Sequence, residues 1–154
     1  MLLAIVDNKM IQIDYPEPSF KIKKENNTEF IFDTIRKKWL VLTPEEWVRQ
    51  NFLQYIIQVK KYPASLIAVE KEIKLGDLKK RCDIIIYKNE KPWMIVECKE
   101  MKVPINAKTL DQILNYNQTL AVQFLVTTNG NNTLCMETGS KQMLLQMPNY
   151  IEVI

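Results

Sequence analysis

Residues 81–100 constrain the fold of this 154-residue chain more than any other stretch. Residues 81–87 and 92–100 are two runs of strand length that are rich in β-branched and aromatic side chains, and the polar residues 88–91 separate them. The pattern predicts a largely buried β-hairpin. Charged side chains are costly in a buried strand unless they are paired or bind a metal. Nevertheless, Asp83 begins the first strand, and Glu97 and Lys99 lie near the end of the second.

The geometry of a hairpin brings these three charges together. Side chains alternate along a strand, so Glu97 and Lys99 point the same way. In an antiparallel pair the start of one strand lies beside the end of the next, so we expect Asp83 to meet both. Two carboxylates suit Mg²⁺, and an adjacent lysine can position a water and stabilise a phosphoryl group. The alternative is a structural ion pair at a solvated strand end.

Asp83, followed by Glu97-Cys98-Lys99, resembles the signature of the PD-(D/E)XK nuclease superfamily. The blocks at residues 42–50, 67–70, 96–99, 111–117 and 128–130 resemble, in the same order, the N-terminal nuclease domain of type I restriction enzyme R subunits. The similarity covers roughly residues 31–135. Cys82 stands where the name of the superfamily has proline, a departure that the superfamily tolerates.

The resemblance implies an α/β (α+β) restriction-endonuclease-like core in the order αβββαβ, whereas the residues alone require only a mixed sheet flanked by helices. It also implies a Mg²⁺-dependent (or Mn²⁺-dependent) DNA endonuclease-like phosphodiesterase. Asp83, Glu97 and the Cys98 carbonyl would hold the metal, and Lys99 would serve the attacking water. Gln112 and Tyr116, one helical turn apart, match a pair that borders the active site in this family. A polar pair at the flank of a helix is the alternative.

A helix is expected to begin at residue 44, because Thr43 is a good N-cap, Pro44 suits the first turn and Glu46 can close a capping box. It should run to about residue 60 with an apolar face made by Trp47, Phe52, Tyr55, Ile56 and Val59. Glu46 also matches the acidic residue that the superfamily places near its metal, so both interpretations stay open. Arg49 is expected to pair with Glu46 or to contact phosphate.

The remaining elements follow from shorter patterns. Residues 1–40 are predicted to be a β extension with a turn at 25–28, and the basic run 36–39 is either a solvated turn or a contact for nucleic acid. Residues 66–73 should form the first core strand, with Glu70 in an edge ion pair with a lysine. A basic loop at 74–81 would present Lys79, Lys80 and Arg81 to phosphate, or simply to solvent.

Further along the chain, Asn106 should cap a helix over residues 107–120, with Leu110, Ile113, Leu114 and Leu120 inward. A buried strand is expected at 122–127, a turn at 128–132 and a hairpin around 138–140. The length fits one domain, divided into the extension 1–40, a nuclease-like core 41–135 and a C-terminal hairpin or tail 136–154.

Composition narrows the chemistry. The chain has no histidine, which excludes histidine triads and histidine zinc sites. Its three cysteines suit a reducing cytosol, and residues 1–6 are too short for a signal peptide or a membrane span, so a cytoplasmic protein is expected. The net charge of +3 permits nucleic-acid binding without arguing for it.

The chain lacks a phosphate-binding Gly-x-x-x-x-Gly-Lys-Ser/Thr loop, so it is not expected to translocate DNA with ATP by itself. The expected partners are DNA and either a second copy of the chain or a separate helicase or restriction-complex subunit. Two alternatives stay open. One is a non-catalytic nucleic-acid-binding relative that acts as a partner subunit, and the other is a phosphodiesterase for RNA or a small molecule.

Overall fold

The computed structural model describes residues 9–75 and 77–150, and these residues form two sheets, two α-helices and one short 3-10 helix (Ala64–Leu66). A three-stranded antiparallel sheet contains β1 (Ile22–Glu25), β2 (Thr28–Asp33) and β3 (Lys38–Val41). Asn26 and Asn27 make the first turn with φ values of 50° and 65°, a conformation that asparagine tolerates well. The predicted N-terminal hairpin is therefore confirmed, whereas residues 12–21 are not strand.

The larger sheet has six strands. They are β4 (Ile67–Leu75), β5 (Leu78–Lys88), β6 (Lys91–Cys98), β7 (Phe124–Thr128), β8 (Thr133–Glu137) and β9 (Gln142–Met143), in that spatial order. Only the β6–β7 pair of this sheet is parallel. A parallel pair needs a crossover, and helix α2 (Ala107–Leu120) supplies it. The predicted mixed sheet and its αβββαβ order are confirmed, and the C-terminal hairpin extends the same sheet.

Helix α1 (Pro44–Gln58) covers one face of this sheet and α2 the other. Phe52 and Ile56 of α1 are fully buried in a cluster that includes Ile84 and Ile86 of β5. Leu110 of α2 is fully buried in the opposite cluster. The hydrophobic residues of β5 and β6 therefore serve two cores at once, which explains the continuous apolar runs at residues 84–86 and 93–96.

Only one of the two hydrogen bonds of the predicted capping box forms at the start of α1. Thr43 Oγ1 accepts a hydrogen bond from the Glu46 N–H at 3.0 Å. The Thr43 N–H donates to the Val41 carbonyl instead of to the Glu46 side chain. The predicted capping box is therefore wrong, and the Glu46 carboxylate is directed elsewhere. The predicted apolar face is also too long, because Val59 is 51% exposed beyond the end of the helix.

The predicted basic loop at 74–81 is wrong as well. Strands β4 and β5 pair there as a hairpin that extends to Leu75 and Leu78. The charged side chains alternate along a solvent-facing ladder, in which Lys79 pairs with Glu72 at 3.7 Å. Runs of consecutive charged residues at 70–72 and 79–81 interrupt the alternation that indicates a strand, so this part of the sequence resembles a loop.

Helix α2 begins as predicted, because Asn106 Oδ1 accepts from the N–H groups of Lys108 and Thr109. The side chains of Ile113 and Leu120 lie outside the described residues, as do residues 1–6. Cys82, Cys98 and Cys135 are buried free thiols. No helix within the described ranges is long and apolar enough to cross a membrane.

Candidate active site

The register of the β5–β6 hairpin places Asp83 beside Glu97. Ile84 pairs with Val96 and Ile85 with Ile95, so the next positions outward are Asp83 and Glu97. Asp83 Oδ2 accepts the Cys98 N–H at 2.8 Å, and each of the two carboxyl groups shifts the pKa of the other. The predicted meeting of Asp83 and Glu97 is confirmed.

Lys99 is the first residue after β6. Its N–H donates to the Thr128 carbonyl at 2.8 Å, which fixes the backbone beside β7. Its charge also acts on Glu97, whose pKa it lowers slightly against the larger effects of burial and Asp83. Lys99 is therefore close enough to act on Glu97, and a contact of its side chain with Asp83 stays a prediction.

The pKa values of Glu97 and Asp83 are shifted in opposite directions from their ordinary values. Burial and the neighbouring Asp83 carboxylate raise the pKa of Glu97 to about 8. Burial acts on Asp83 in the same direction, but the Cys98 N–H and the Arg49 guanidinium outweigh it and hold the pKa of Asp83 below its ordinary value. Near neutral pH the pair therefore keeps a proton on Glu97, because two adjacent carboxylates resist joint ionisation.

Arg49 of α1 is only 6% exposed, and its guanidinium lies among four carboxylates. Nη2 lies 2.8 Å from Asp83 Oδ1, 2.7 Å from Glu70 Oε1 and 3.0 Å from Glu45 Oε1. Nη1 contacts Glu46. The expected helical salt bridge is confirmed. The alternative contact of Arg49 with phosphate stays a prediction, since the guanidinium faces the protein interior in this structure.

Glu46 connects Arg49 to the small sheet. Its carboxylate contacts the guanidinium of Arg36, which follows β2, and accepts from Gln50 Nε2 at 3.3 Å. Arg36 Nε in turn lies 2.6 Å from Asp33 Oδ2. Glu46 therefore contacts Arg49, which in turn contacts Asp83. The predicted role of Glu46 at the site stays open.

Glu70 is the site residue that sequence reasoning missed. Val69 pairs with Ile84 and Lys71 with Cys82, so Glu70 and Asp83 face each other between two ladder pairs. Glu70 has a φ of 55°, which is uncommon for a residue with a side chain and marks a local break in the strand. The pairing of β4 with β5 would have placed Glu70 opposite Asp83, but that pairing was hidden by the incorrect loop assignment.

The charge partners of Glu70 are arginines, not the lysine that was expected. Arg81 Nε lies 2.6 Å from Glu70 Oε2, and Arg49 Nη2 contacts the other oxygen. The pKa of Glu70 is raised, because burial and the adjacent Asp83 carboxylate outweigh both guanidinium groups. Glu70 therefore belongs to the same acidic cluster as Asp83.

The three basic residues predicted to bind nucleic acid lie on β5 rather than on a loop. Lys79 is exposed, Lys80 is half-buried and its charge acts on Glu97, and the Arg81 side chain is 67% exposed. Gln112 is exposed on α2, and the Tyr116 side chain lies outside the described residues. The phosphate contacts and the place of Gln112 and Tyr116 beside the site remain predictions.

The donor set fits a hard divalent cation, although it is not arranged as a preformed metal site. Asp83, Glu97 and Glu70 offer carboxylate oxygens, which Mg²⁺ prefers. Within the described part of the chain, no three acidic or cysteine side chains already have a metal-holding arrangement. One Asp83 oxygen instead accepts from the Cys98 N–H and the other from Arg49.

Two comparisons with known proteins bear on this site. The family model "Type I restriction enzyme R protein N terminus" matches residues 44–149. A solved fragment of an HsdR subunit of a type I restriction enzyme from Vibrio vulnificus YJ016 superposes with a TM-score of 0.54 at 19% identity. That match covers 70% of this chain and 24% of the fragment, and it supports the fold. A search of curated proteins gave no match. The family match covers most of the chain, which therefore belongs to the type I restriction enzyme R protein N-terminal family.

Proposed function

We propose that this protein is a Mg²⁺-dependent nuclease that hydrolyses phosphodiester bonds in DNA. One observation carries the proposal: the register of the β5–β6 hairpin places Asp83 and Glu97 side by side at its end, with Lys99 two residues further along. The membership of the chain in the R protein N-terminal family supports it. Burial of two carboxylates in contact is costly, and a cation that binds them relieves that cost.

Asp83 and Glu97 would hold the metal, with the Cys98 carbonyl as a third oxygen. A bound Mg²⁺ supplies Lewis acidity, which lowers the pKa of a water and offsets charge on the phosphoryl group. The Cys98 N–H orients Asp83 through a 2.8 Å hydrogen bond. Lys99, anchored by its backbone at Thr128, orients the attacking water and stabilises the negative charge that develops on the phosphoryl oxygens.

The solved relative is described as a fragment of an HsdR subunit of a type I restriction enzyme, and the match covers 24% of that fragment. We extend that context to this protein and propose that it acts on DNA beside a separate motor subunit. One carboxylate site cuts one strand at a time, so cleavage of both strands requires either a second copy of the chain or a second cleavage by the same site.

The test joins metal titration to plasmid nicking. Wild type, Asp83→Ala, Lys99→Ala and the control Glu72→Gln are titrated with Mg²⁺ and Mn²⁺ by calorimetry and then incubated with supercoiled plasmid. Glu72 is an exposed carboxylate on β4 that pairs with Lys79, away from the hairpin end. Asp83→Ala should lose metal binding and nicking, and Lys99→Ala should lose nicking while binding metal.

Nicked circles should appear before linear DNA if single sites act independently. Binding of DNA by folded wild type without metal binding or cleavage would instead favour a non-catalytic DNA-binding subunit. Cleavage of RNA in place of DNA would retain the chemistry and overturn the proposed substrate.

A further inference from the structure

The structure places a permanent positive charge where a metal ion would bind. We propose that Arg49 is a positioning residue that acts as an internal counter-cation: it neutralises Asp83 and Glu70 in the metal-free protein and competes with the metal for them. The inference rests on the proposed function, because it concerns the same carboxylate site.

The first observation that supports this inference is the set of contacts made by Nη2 of Arg49. Arg49 Nη2 lies 2.8 Å from Asp83 Oδ1 and 2.7 Å from Glu70 Oε1, so a single N–H₂ group joins the two facing carboxylates. Asp83 Oδ2 is already occupied by the Cys98 N–H. A metal ligated by Asp83 Oδ1 must therefore take the position of the Arg49 hydrogen bond or share that oxygen with it.

The second observation is that both Arg49 and Asp83 are buried. Arg49 is 6% exposed and Asp83 is 9% exposed, so water screens their attraction little. A guanidinium stays charged at any pH at which the protein is folded, so it neutralises the carboxylates in the absence of metal. Removing it would leave buried carboxylates without their main counter-charge.

The third observation is that Arg49 is also held by a carboxylate outside the proposed metal site. Its Nη1 contacts Glu46, which also contacts Arg36 of the small sheet. The Nε of Arg49 has no hydrogen-bond partner in the described part of the chain, so the carboxylates on the two terminal nitrogens determine its orientation. When a metal takes over Asp83, Arg49 can remain paired with Glu46 and stay close to the site.

The experiment compares Arg49→Gln with Arg81→Gln. Arg81 also pairs with Glu70, but its side chain is 67% exposed and it has no contact with Asp83 in the structure, so it is the matched control. The measurements are the thermal midpoint in EDTA, the midpoint in saturating Mg²⁺, and the Kd for Mg²⁺ and Mn²⁺ by calorimetry.

We expect Arg49→Gln to unfold at a lower temperature in EDTA, to bind metal about tenfold more tightly and to gain more stability from metal than wild type does, since one fewer cation opposes the metal. Arg81→Gln should bind metal within about twofold of wild type, because exposed charges are screened. Folding of Arg49→Gln only in the presence of metal would also support the proposal.

An unchanged or weaker metal affinity in Arg49→Gln, with normal binding by wild type, would overturn this inference and leave the proposed nuclease standing. Failure of wild type to bind metal would overturn both. If Arg49→Gln does not fold under either condition, Arg49→Lys keeps the charge, but its side chain is one bond shorter, which draws the charge back from Asp83 and Glu70. Arg49→Lys should then bind metal more tightly than wild type, and equal or weaker binding would overturn the inference.

Discussion

At the scale of single residues, the acidity of Glu97 sets the pH dependence of the proposed metal site. Burial and Asp83 raise the pKa of Glu97 to about 8, and a metal ligand must be deprotonated. We therefore expect Mg²⁺ affinity to rise between about pH 6 and pH 8.5, with release of close to one proton. Calorimetry in buffers of different ionisation enthalpy measures both quantities. An affinity that is flat across this range would show that Glu97 is not a ligand.

The same pKa makes a prediction for stability. The unfolded value is 4.5 and the folded value is about 8, so Glu97 contributes stability below pH 4.5 that is lost as the pH rises through 8. Glu97→Gln keeps the shape and removes the charge, so in metal-free buffer at high pH its Tm should exceed that of wild type by a few degrees, roughly 2–4 °C. The difference should vanish at about pH 5. Glu72→Gln, at an exposed position, should show no such trend.

Between different elements, the sequence predicts contacts between charged residues only within the β5–β6 hairpin. Strand alternation and antiparallel pairing suffice to bring Asp83 to Glu97, because both rules act between neighbouring strands. The contacts of Arg49 depend on how α1 packs across the sheet, and no local pattern specifies that angle. Two features of the sequence indicate these contacts: the acidic Glu70 directly after the apolar run 66–69, and the arginine one turn after Glu46.

At the scale of elements, α1 brings Arg49 to the sheet, and its first turn depends on Thr43. The Thr43 hydroxyl accepts the Glu46 N–H, one of the N–H groups that the helix leaves without an internal partner. Thr43→Ala should cost about 1 kcal/mol, and Thr43→Ser should cost little. Urea denaturation of the three proteins measures the difference. Equal losses in both variants would show that the Thr43 methyl group, not the hydroxyl, stabilises this turn.

Both helices and most of the strands were predictable, because capping residues and long apolar runs are local signals. The β4–β5 extension was not, since runs of charged residues in both strands mask the alternation that indicates a strand. The contact of Glu46 with Arg49 on its own helix was predictable from their spacing, whereas its contact with Arg36 of the β2–β3 turn was not.

At the scale of the whole molecule, Asp33 links the small sheet to α1. It is fully buried and accepts from the Arg36 N–H at 2.9 Å, from Arg36 Nε at 2.6 Å and from Gln50 Nε2 at 2.9 Å. Phe20 also packs edge-on against Trp47 of the helix at 5.6 Å between ring centroids. Through Arg36 and Glu46 the small sheet therefore supports the position of Arg49.

Asp33→Asn should uncouple the small sheet from the core. Burial opposes ionisation of Asp33, but the Arg36 and Gln50 hydrogen bonds outweigh it and lower its pKa, so its contribution is present above pH 3.8 and is lost as the pH falls through the folded value. At neutral pH the variant should lose about 3 kcal/mol. Hydrogen exchange should show the amides of β1–β3 opening before those of β5 and β6. Uniform loss of protection across both sheets would instead mean that the two sheets unfold as one unit and that Asp33 stabilises the whole of it.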